Sequence, residues 1–386
     1  MFPEIMLHID SVKNHMANEG IEAILVGSNS NIYYTSGRFY RGYVFIPLSG
    51  TPLWFVIKPD FYEPQPNVFQ IRKPEMIPDI LTSLNYETPK SVGYEFDVLS
   101  YSDVMRLRRL FPDAEPKNGS SPLRKARMIK TEWEISEMKK DGVHQANAYS
   151  KIKDCYRKGM TDLEFQIEIE KVLRLEGALG VTRTAGNLMD INLGSVISGD
   201  NADVPGPYDF TMGGSGVDSS LPVGAAGNVM KEGETVMIDM NGAFNGYQTD
   251  MTRVWSLGDI PEIALKAHQC SIEILHRLEK ISLPETPVAS LYNEAMKIVA
   301  EFGLENYFMG HQSHVSFIGH GVGIELNEPP VVMAKSKDIL DENMTIALEP
   351  KFVIPKVGAV GVENTYRVTT EGLESLTVFP EEIKSL

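Results

Sequence analysis

Four carboxylates and one imidazole, Asp239, Asp250, His320, Glu349 and Glu363, stand where such side chains are costly unless they do chemistry. The run from Glu234 to Trp255 alternates apolar and polar residues on either side of Asn245-Gly246, the pattern of a β-hairpin. With a two-residue turn there, paired positions sum to 491, so Asp239 faces Thr252 and Asp250 faces Asn241. Both aspartates then share one face as diagonal neighbours, roughly 7–8 Å apart at Cα. The other face carries Val236, Ile238, Met240, Met251 and Trp255, with Arg253 the exception. Two like charges so placed destabilise the hairpin unless a cation lies between them. A divalent metal and a solvated polar face are equal readings of that pair alone.

The remaining three narrow the choice. His320 sits between Gly319 and Gly321, which permit close backbone approach. Glu349 precedes Pro350 and Glu363 precedes Asn364, each inside an otherwise apolar strand pattern where an unpaired charge is expensive and invites a counter-charge. Oxygen-rich sets with one histidine suit Mn(II), Co(II), Zn(II) or Fe(II), and four carboxylates with one imidazole fit a two-metal centre with ions about 3.5–4 Å apart.

The elements that must hold these groups can be traced along the chain. The first third alternates helix and strand. A helical stretch ends at Gly20, Ala23 to Val26 read as a buried strand, and two strands flank Ser49-Gly50. Another strand, Ser91 to Phe96, precedes a helix with Ser100 at its N-cap. Two capping boxes, Thr131/Glu134 and Thr161/Glu164, open consecutive helices, the first running to about Arg157 and the second closed by Gly177. Residues 185–227 are rich in Gly, Ser, Asp and Pro and form either a surface loop or the wall of a site. No Gly-Lys-Ser/Thr follows the glycines, which excludes a phosphate loop. Helices from Pro261 and from Thr286 to Gly303 precede mostly strands.

Composition sets the outer limits. The 386 residues suffice for one large or two ordinary domains. A formal charge of −16 repels phosphate backbones and anionic lipid, so nucleic acid and membrane are excluded as partners. Two cysteines, Cys155 and Cys270, are too few for a disulfide framework, and with no signal-like segment the expected location is cytoplasmic.

In their order, Asp, a second Asp eleven residues on, Gly-His-Gly, Glu-Pro and Glu-Asn-Thr, these residues resemble the M24 metallopeptidases, which include Xaa-Pro aminopeptidases, prolidases, methionine aminopeptidases and the metal-free creatinases. Gly20 to Gly27 and Asn31 to Gly37 are similar to phrases of that family's amino-terminal domain, and Lys130 to Met138 to the helix that opens its catalytic domain. The resemblance implies an α/β creatinase-like amino-terminal domain over 1–125 and an α+β pita-bread catalytic domain over 126–386. It implies that Asp239 chelates one ion, that Asp250 and Glu363 bridge two, and that His320 and Glu349 complete the second, with Glu349 as general base. It further implies two divalent ions, Mn(II) foremost, a peptide substrate with proline in second position, and a homodimer. The two-domain length favours the prolidase and Xaa-Pro branch over methionine aminopeptidase.

Three departures from the pattern matter. Asn327 stands where active relatives carry the histidine of His-Glu-Pro, Val223 where they carry that of Pro-His-Gly, and Gly361 in place of an arginine near the last glutamate. Asn327 can still donate a hydrogen bond and is placed with Glu349 in the catalytic set. His311 and His314 stay outside it, and the stretch from Met212 to Leu221 is read as rebuilding the missing wall. The first reading is a dinuclear Xaa-Pro aminopeptidase or dipeptidase. The alternatives are a metal-dependent hydrolase of another amide or C–N bond, and a catalytically weak peptide-binding module.

Overall fold

The computed structural model describes residues 2–60, 65–186, 191–208, 210 and 212–386, which divide into two compact units, Met1–Arg127 and Met128–Leu386.

The first unit is built on a six-stranded sheet. Its strands are β1 (Ala23–Val26), β2 (Arg41–Pro47), β3 (Leu53–Lys58), β4 (Val68–Gln70), β5 (Ser91–Tyr94) and β6 (Glu115–Asn118), in the order β4-β3-β2-β1-β5-β6. β2 and β3 form the hairpin expected around Ser49-Gly50, and Gly50 takes the positive φ of +107° that such a turn requires. Where β1 ends, the fully buried Glu95 carboxylate accepts the Gly27 and Ser28 amides at 2.6 and 2.9 Å and the Asn31 side-chain amide at 2.7 Å. Burial of that carboxylate is thereby matched by donors, and they fix the entry of the helix Asn29–Ser36. Ser100 caps the helix Tyr101–Arg108 by accepting the Asp103 amide at 3.1 Å.

In the second unit both capping boxes form, opening the helices Glu132–Tyr149 and Asp162–Leu175. The first is shorter than the expected run to Arg157; it ends at Tyr149, and Ile152–Cys155 forms a separate turn of helix. Four strands make one sheet, β7 (Gly194–Ser198), β8 (Thr235–Met240), β9 (Thr252–Ser256) and, at the chain end, Lys384–Ser385. Five strands make another, β10 (Phe317–Gly321), β11 (Glu328–Met333), β12 (Thr345–Leu348), β15 (Asn364–Thr369) and β16 (Gly372–Ser375), in the order β11-β10-β12-β15-β16. β13 (Lys351–Ile354) and β14 (Gly358–Gly361) form a two-stranded sheet.

The β8–β9 sheet is apolar on both faces. Val236, Ile238, Met240, Met251 and Trp255 join one core with the helix Asp162–Leu175, and Met237 and Val254 join another with the helices Glu262–Ile281 and Val288–Phe302. The charged exception, Arg253, is 1 % exposed, and its guanidinium donates to the carbonyls of Thr252, Glu363, Phe379 and Pro380 and to Asn364 Oδ1 at 2.7–2.9 Å. An arginine on an apolar face is thus accounted for by backbone acceptors from two neighbouring segments.

Candidate metal centre

Two hairpins position the four carboxylates, and the adjoining strand β10 positions His320. In the first, Asp239 pairs with Thr252 and Gly242 with Thr249, which is the expected register. The tip differs: the ladder ends at Met240 and resumes at Thr252, and the Asn245 side chain accepts the Tyr247 amide at 2.7 Å in a wider bend than a two-residue turn. In the gap the helix Glu132–Tyr149 takes over the backbone bonding. Tyr149 Oη accepts the Met240 amide at 3.1 Å and donates to the Met251 carbonyl at 2.5 Å, while Gln145 donates to the Met240 carbonyl at 2.6 Å and accepts Thr249 Oγ1 at 2.9 Å. Asp239 and Asp250 are each adjacent to a clamped residue, so their carboxylates leave a rigid backbone. Neither Gln145 nor Tyr149 was singled out from the sequence; their signal was a polar group at i and i+4 on the buried face of that helix.

The second hairpin is bent. Leu348 pairs with Asn364 in one sheet, and Lys351 pairs with Gly361 in the other, in one continuous register that sets Glu349 opposite Glu363 at the bend. The Glu349 amide donates to the Ile318 carbonyl at 2.9 Å, and β10 lies beside β12 with His320 paired to Ala347. Gly319 and Gly321 flank the imidazole because a Cβ at either would lie 2.2 or 2.1 Å from a backbone carbonyl of the adjoining strand. Thr252 Oγ1 donates to Glu363 Oε2 at 2.6 Å and so ties the two hairpins together.

The five residues therefore converge. His320 Nε2 lies 3.6 Å from Glu349 Oε1 and 3.8 Å from Asp250 Oδ2, and Asp250, His320 and Glu363 each offer a ligand atom within 4.8 Å of the others. Glu363 Oε1 is buried and lacks a hydrogen-bond partner. Burial, and then repulsion from neighbouring carboxylates, pushes the Asp250 and Glu363 carboxyls well above the usual carboxylate range. An orphaned buried oxygen beside an imidazole and a second carboxylate is the donor set of one divalent ion.

A sixth residue enters that the sequence reading did not name. Lys351 Nζ lies 2.8 Å from Asp239 Oδ2, 2.9 Å from Glu349 Oε2 and 2.9 Å from Glu363 Oε2, in a side chain only 1 % exposed. Burial opposes its charge, but the three carboxylates outweigh it and hold the ammonium well above the ordinary lysine range. The residues fit one ion; the expected pair of ions meets an ammonium already bonded to three of the four carboxylates. The signal was a lysine opening an apolar strand two residues after Glu349, paired with a glycine.

Asp239, Asp250, His320 and Glu349 line a cavity of about 640 Å³. Its lining includes the apolar residues Pro207, Tyr208, Phe210, Met212, Val315, Phe317 and Val331. The loop of residues 185–227 is thus partly the wall of a site, although 187–190, 209 and 211 lie outside the described residues. The wall lies over 206–212, earlier than the expected 212–221, and Val223 is not among the lining residues described. Asn327 lines the cavity, but its amide is engaged with the Ala185 backbone, accepting the amide hydrogen at 2.7 Å and donating to the carbonyl at 2.9 Å. His311 bonds Asp203 at 2.8 Å, whereas His314 lines the cavity, with Nδ1 2.8 Å from the Phe308 carbonyl.

Comparison with known proteins gives this geometry its context. The model of metallopeptidase family M24 matches residues 136–370, and that of the creatinase/prolidase N-terminal domain matches residues 8–129. The chain belongs to metallopeptidase family M24. Its two parts are the creatinase-type domain and the pita-bread catalytic domain of that family. An Xaa-Pro dipeptidase of Pyrococcus horikoshii is 26 % identical over 97 % of this chain and 98 % of its own length. The crystal structure of the prolidase from Pyrococcus horikoshii OT3 superposes with a TM-score of 0.78 at 24 % identity, covering 97 % of this chain and 99 % of that one. An Xaa-Pro dipeptidase structure from Bacillus anthracis gives 0.79 at 23 %, covering 99 % and 100 %. As an M24 enzyme the chain is a prolidase-like hydrolase, and the family's use of divalent metal agrees with the Asp250, His320 and Glu363 cluster.

Proposed function

We propose that the protein is a metal-dependent Xaa-Pro hydrolase acting on short peptides, releasing the residue that precedes proline. The observation that carries this is the cavity itself, which is lined both by the carboxylates and imidazole of Asp239, Asp250, His320 and Glu349 and by apolar residues, Pro207, Tyr208, Phe210, Val315 and Phe317, able to take a proline ring. Tyr208 and Phe210 stack at 5.1 Å with their rings nearly parallel. The relatives described above as Xaa-Pro dipeptidases support a dipeptide or short peptide.

Asp250, His320, Glu349 and Glu363 would hold the ion, with Mn(II) preferred because three of four donors are carboxylate oxygens. When bound, such an ion acidifies water and polarises the scissile carbonyl. Glu349 takes the proton from the attacking water and delivers it to the proline nitrogen as the C–N bond breaks. Asp239, whose side chain is 27 % exposed and lines the cavity, receives the substrate ammonium. His314 supplies the imidazole that Val223 and Asn327 do not, and Asn327 holds the strap at Ala185 in place. We place the enzyme in the cytoplasm as a homodimer; two buried thiols that burial keeps protonated, Cys270 up to about 12, suit a reducing compartment, and the dimer rests on the family resemblance. No helix among the described residues is long and apolar enough to cross a membrane.

One observation favours a second reading, a different amide or C–N bond. Neither Val223 nor Asn327 presents an imidazole to the cavity. Mass-spectrometric detection of cleavage in a mixed peptide library, with Mn(II)-loaded protein beside Glu349→Gln, decides between them. Cleavage confined to Xaa-Pro peptides and lost in the variant is the expected result; cleavage only of other amides establishes the second reading, and no cleavage overturns the peptidase assignment.

A further inference from the structure

Within the metal-dependent reading above, we propose that the Lys351 ammonium takes the place of one of two metal ions, so that each chain binds a single divalent ion, through Asp250, His320, Glu349 and Glu363. The geometry is that of a cation site. Nζ is held by carboxylates from three segments, Asp239 at 2.8 Å and Glu349 and Glu363 at 2.9 Å. A divalent ion bound to those oxygens would need them at about 2.0–2.6 Å around the same point. Ammonium and ion cannot both hold it.

The carboxylate oxygens divide accordingly. Glu349 gives Oε2 to Lys351 and has Oε1 3.6 Å from His320 Nε2; Glu363 gives Oε2 to Lys351 and Thr252 and keeps Oε1 buried with no hydrogen-bond partner. Asp250 Oδ2 faces His320 at 3.8 Å. Asp250, His320 and Glu363 each offer a ligand atom within 4.8 Å of the others, and Glu349 Oε1 lies beside the same imidazole, so three carboxylates and one imidazole make a donor set for one ion. Formal charge agrees. Four ionised carboxylates carry −4 and Lys351 returns +1, so one divalent ion leaves −1 whereas two would leave a buried excess of +1.

The backbone is also built for the lysine. Gly361 lies opposite Lys351 in the β13–β14 ladder, and a Cβ there would meet the Pro350 carbonyl at 2.7 Å and Lys351 Cα and Cγ at 2.9 and 3.2 Å. The glycine, whose φ is +150°, is the partner that lets the lysine stem rise from the strand. The lysine and the glycine are therefore one coupled feature.

The test is metal stoichiometry on the full-length protein, saturated with Mn(II), desalted and measured by elemental mass spectrometry, with Mn(II) electron paramagnetic resonance on the same samples. Wild type is expected to carry one ion per chain with the spectrum of an isolated ion. Lys351→Ala, which empties the cation position, is expected to carry two ions with an exchange-coupled spectrum. Asp239→Asn is a second variant that leaves every proposed ligand in place, so it retains one ion with affinity changed less than threefold. Two ions on wild type, none on wild type, no second ion on a folded Lys351→Ala, or loss of the ion in Asp239→Asn each overturns the proposal. Because stoichiometry needs no turnover, one ion with no Xaa-Pro cleavage would sink the peptidase reading alone, and two ions with cleavage would sink this one alone.

Discussion

At the scale of single residues, the cavity and its surroundings make two side chains accountable. His314 lines the cavity, and if its imidazole orients the substrate, His314→Ala lowers kcat by about ten- to a hundredfold with KM little changed. Steady-state kinetics on an Xaa-Pro peptide check this, and unchanged constants return His314 to an ordinary loop residue. Glu328 is a different case. Its carboxylate pairs with Lys130 at 3.4 Å, the two side chains 3 % and 1 % exposed, so Glu328→Gln leaves an ammonium buried without that carboxylate. A loss of about 3–5 kcal/mol in urea unfolding is expected. Asp239 and Asp250 stood out as like charges sharing one face of an alternating hairpin, and His320, Glu349 and Glu363 as an imidazole among glycines and two carboxylates in apolar strand patterns. Lys351 did not, because a lysine at a strand end reads as a solvated edge until a register brings three carboxylates to it.

At the scale of elements, pairing patterns carried more than turn chemistry did. The register of the first hairpin was readable from alternation alone, and it survives although the tip is wider than Asn245-Gly246 suggests. The reason is that the strand faces, each packed in a core, set register, whereas the tip is held by Asp141 and Asn245 side chains. The bent second hairpin was not readable, since Pro350 and Gly358 look like ordinary breaks between strands rather than a passage between two sheets sharing one register. That tight assembly predicts a cost for the smallest added side chain. Gly321→Ala places a Cβ 2.1 Å from the Pro329 carbonyl, so β11 must part from β10. A loss of about 1–3 kcal/mol in chemical denaturation, with weakened metal binding at His320, is expected.

For the whole molecule, two buried groups set opposing pH dependences. Burial pushes Asp141 up to about 7, above its unfolded value, so its stabilising contribution is complete below about pH 4 and is lost as pH rises through 7. Burial lowers His268 to about 4, below its unfolded value, so its contribution is complete above about pH 6.5 and is lost as pH falls through 4. Between pH 4 and 6.5 the two slopes offset each other. Asp141→Asn is therefore expected to show stability rising with pH across that window and to exceed wild type by roughly 2–4 kcal/mol at pH 8, the cost of ionising a buried carboxyl. Urea titrations at successive pH values check it; a constant difference between variant and wild type would remove Asp141 from the account. A break between two units was visible from two capping boxes and the change from alternating helix and strand to paired helices, whereas the kind of each unit came only from the family resemblance.

Lys351 also bears on how the protein is made. A cation that is part of the chain cannot be diluted, chelated or withheld, so repulsion among Asp239, Glu349 and Glu363 is relieved as soon as the two hairpins meet. Relief of that repulsion therefore needs no transition metal, in contrast to domains whose fold is created by their ion. With one ion per chain, as proposed above, the active fraction rises with the first power of its free concentration rather than the second.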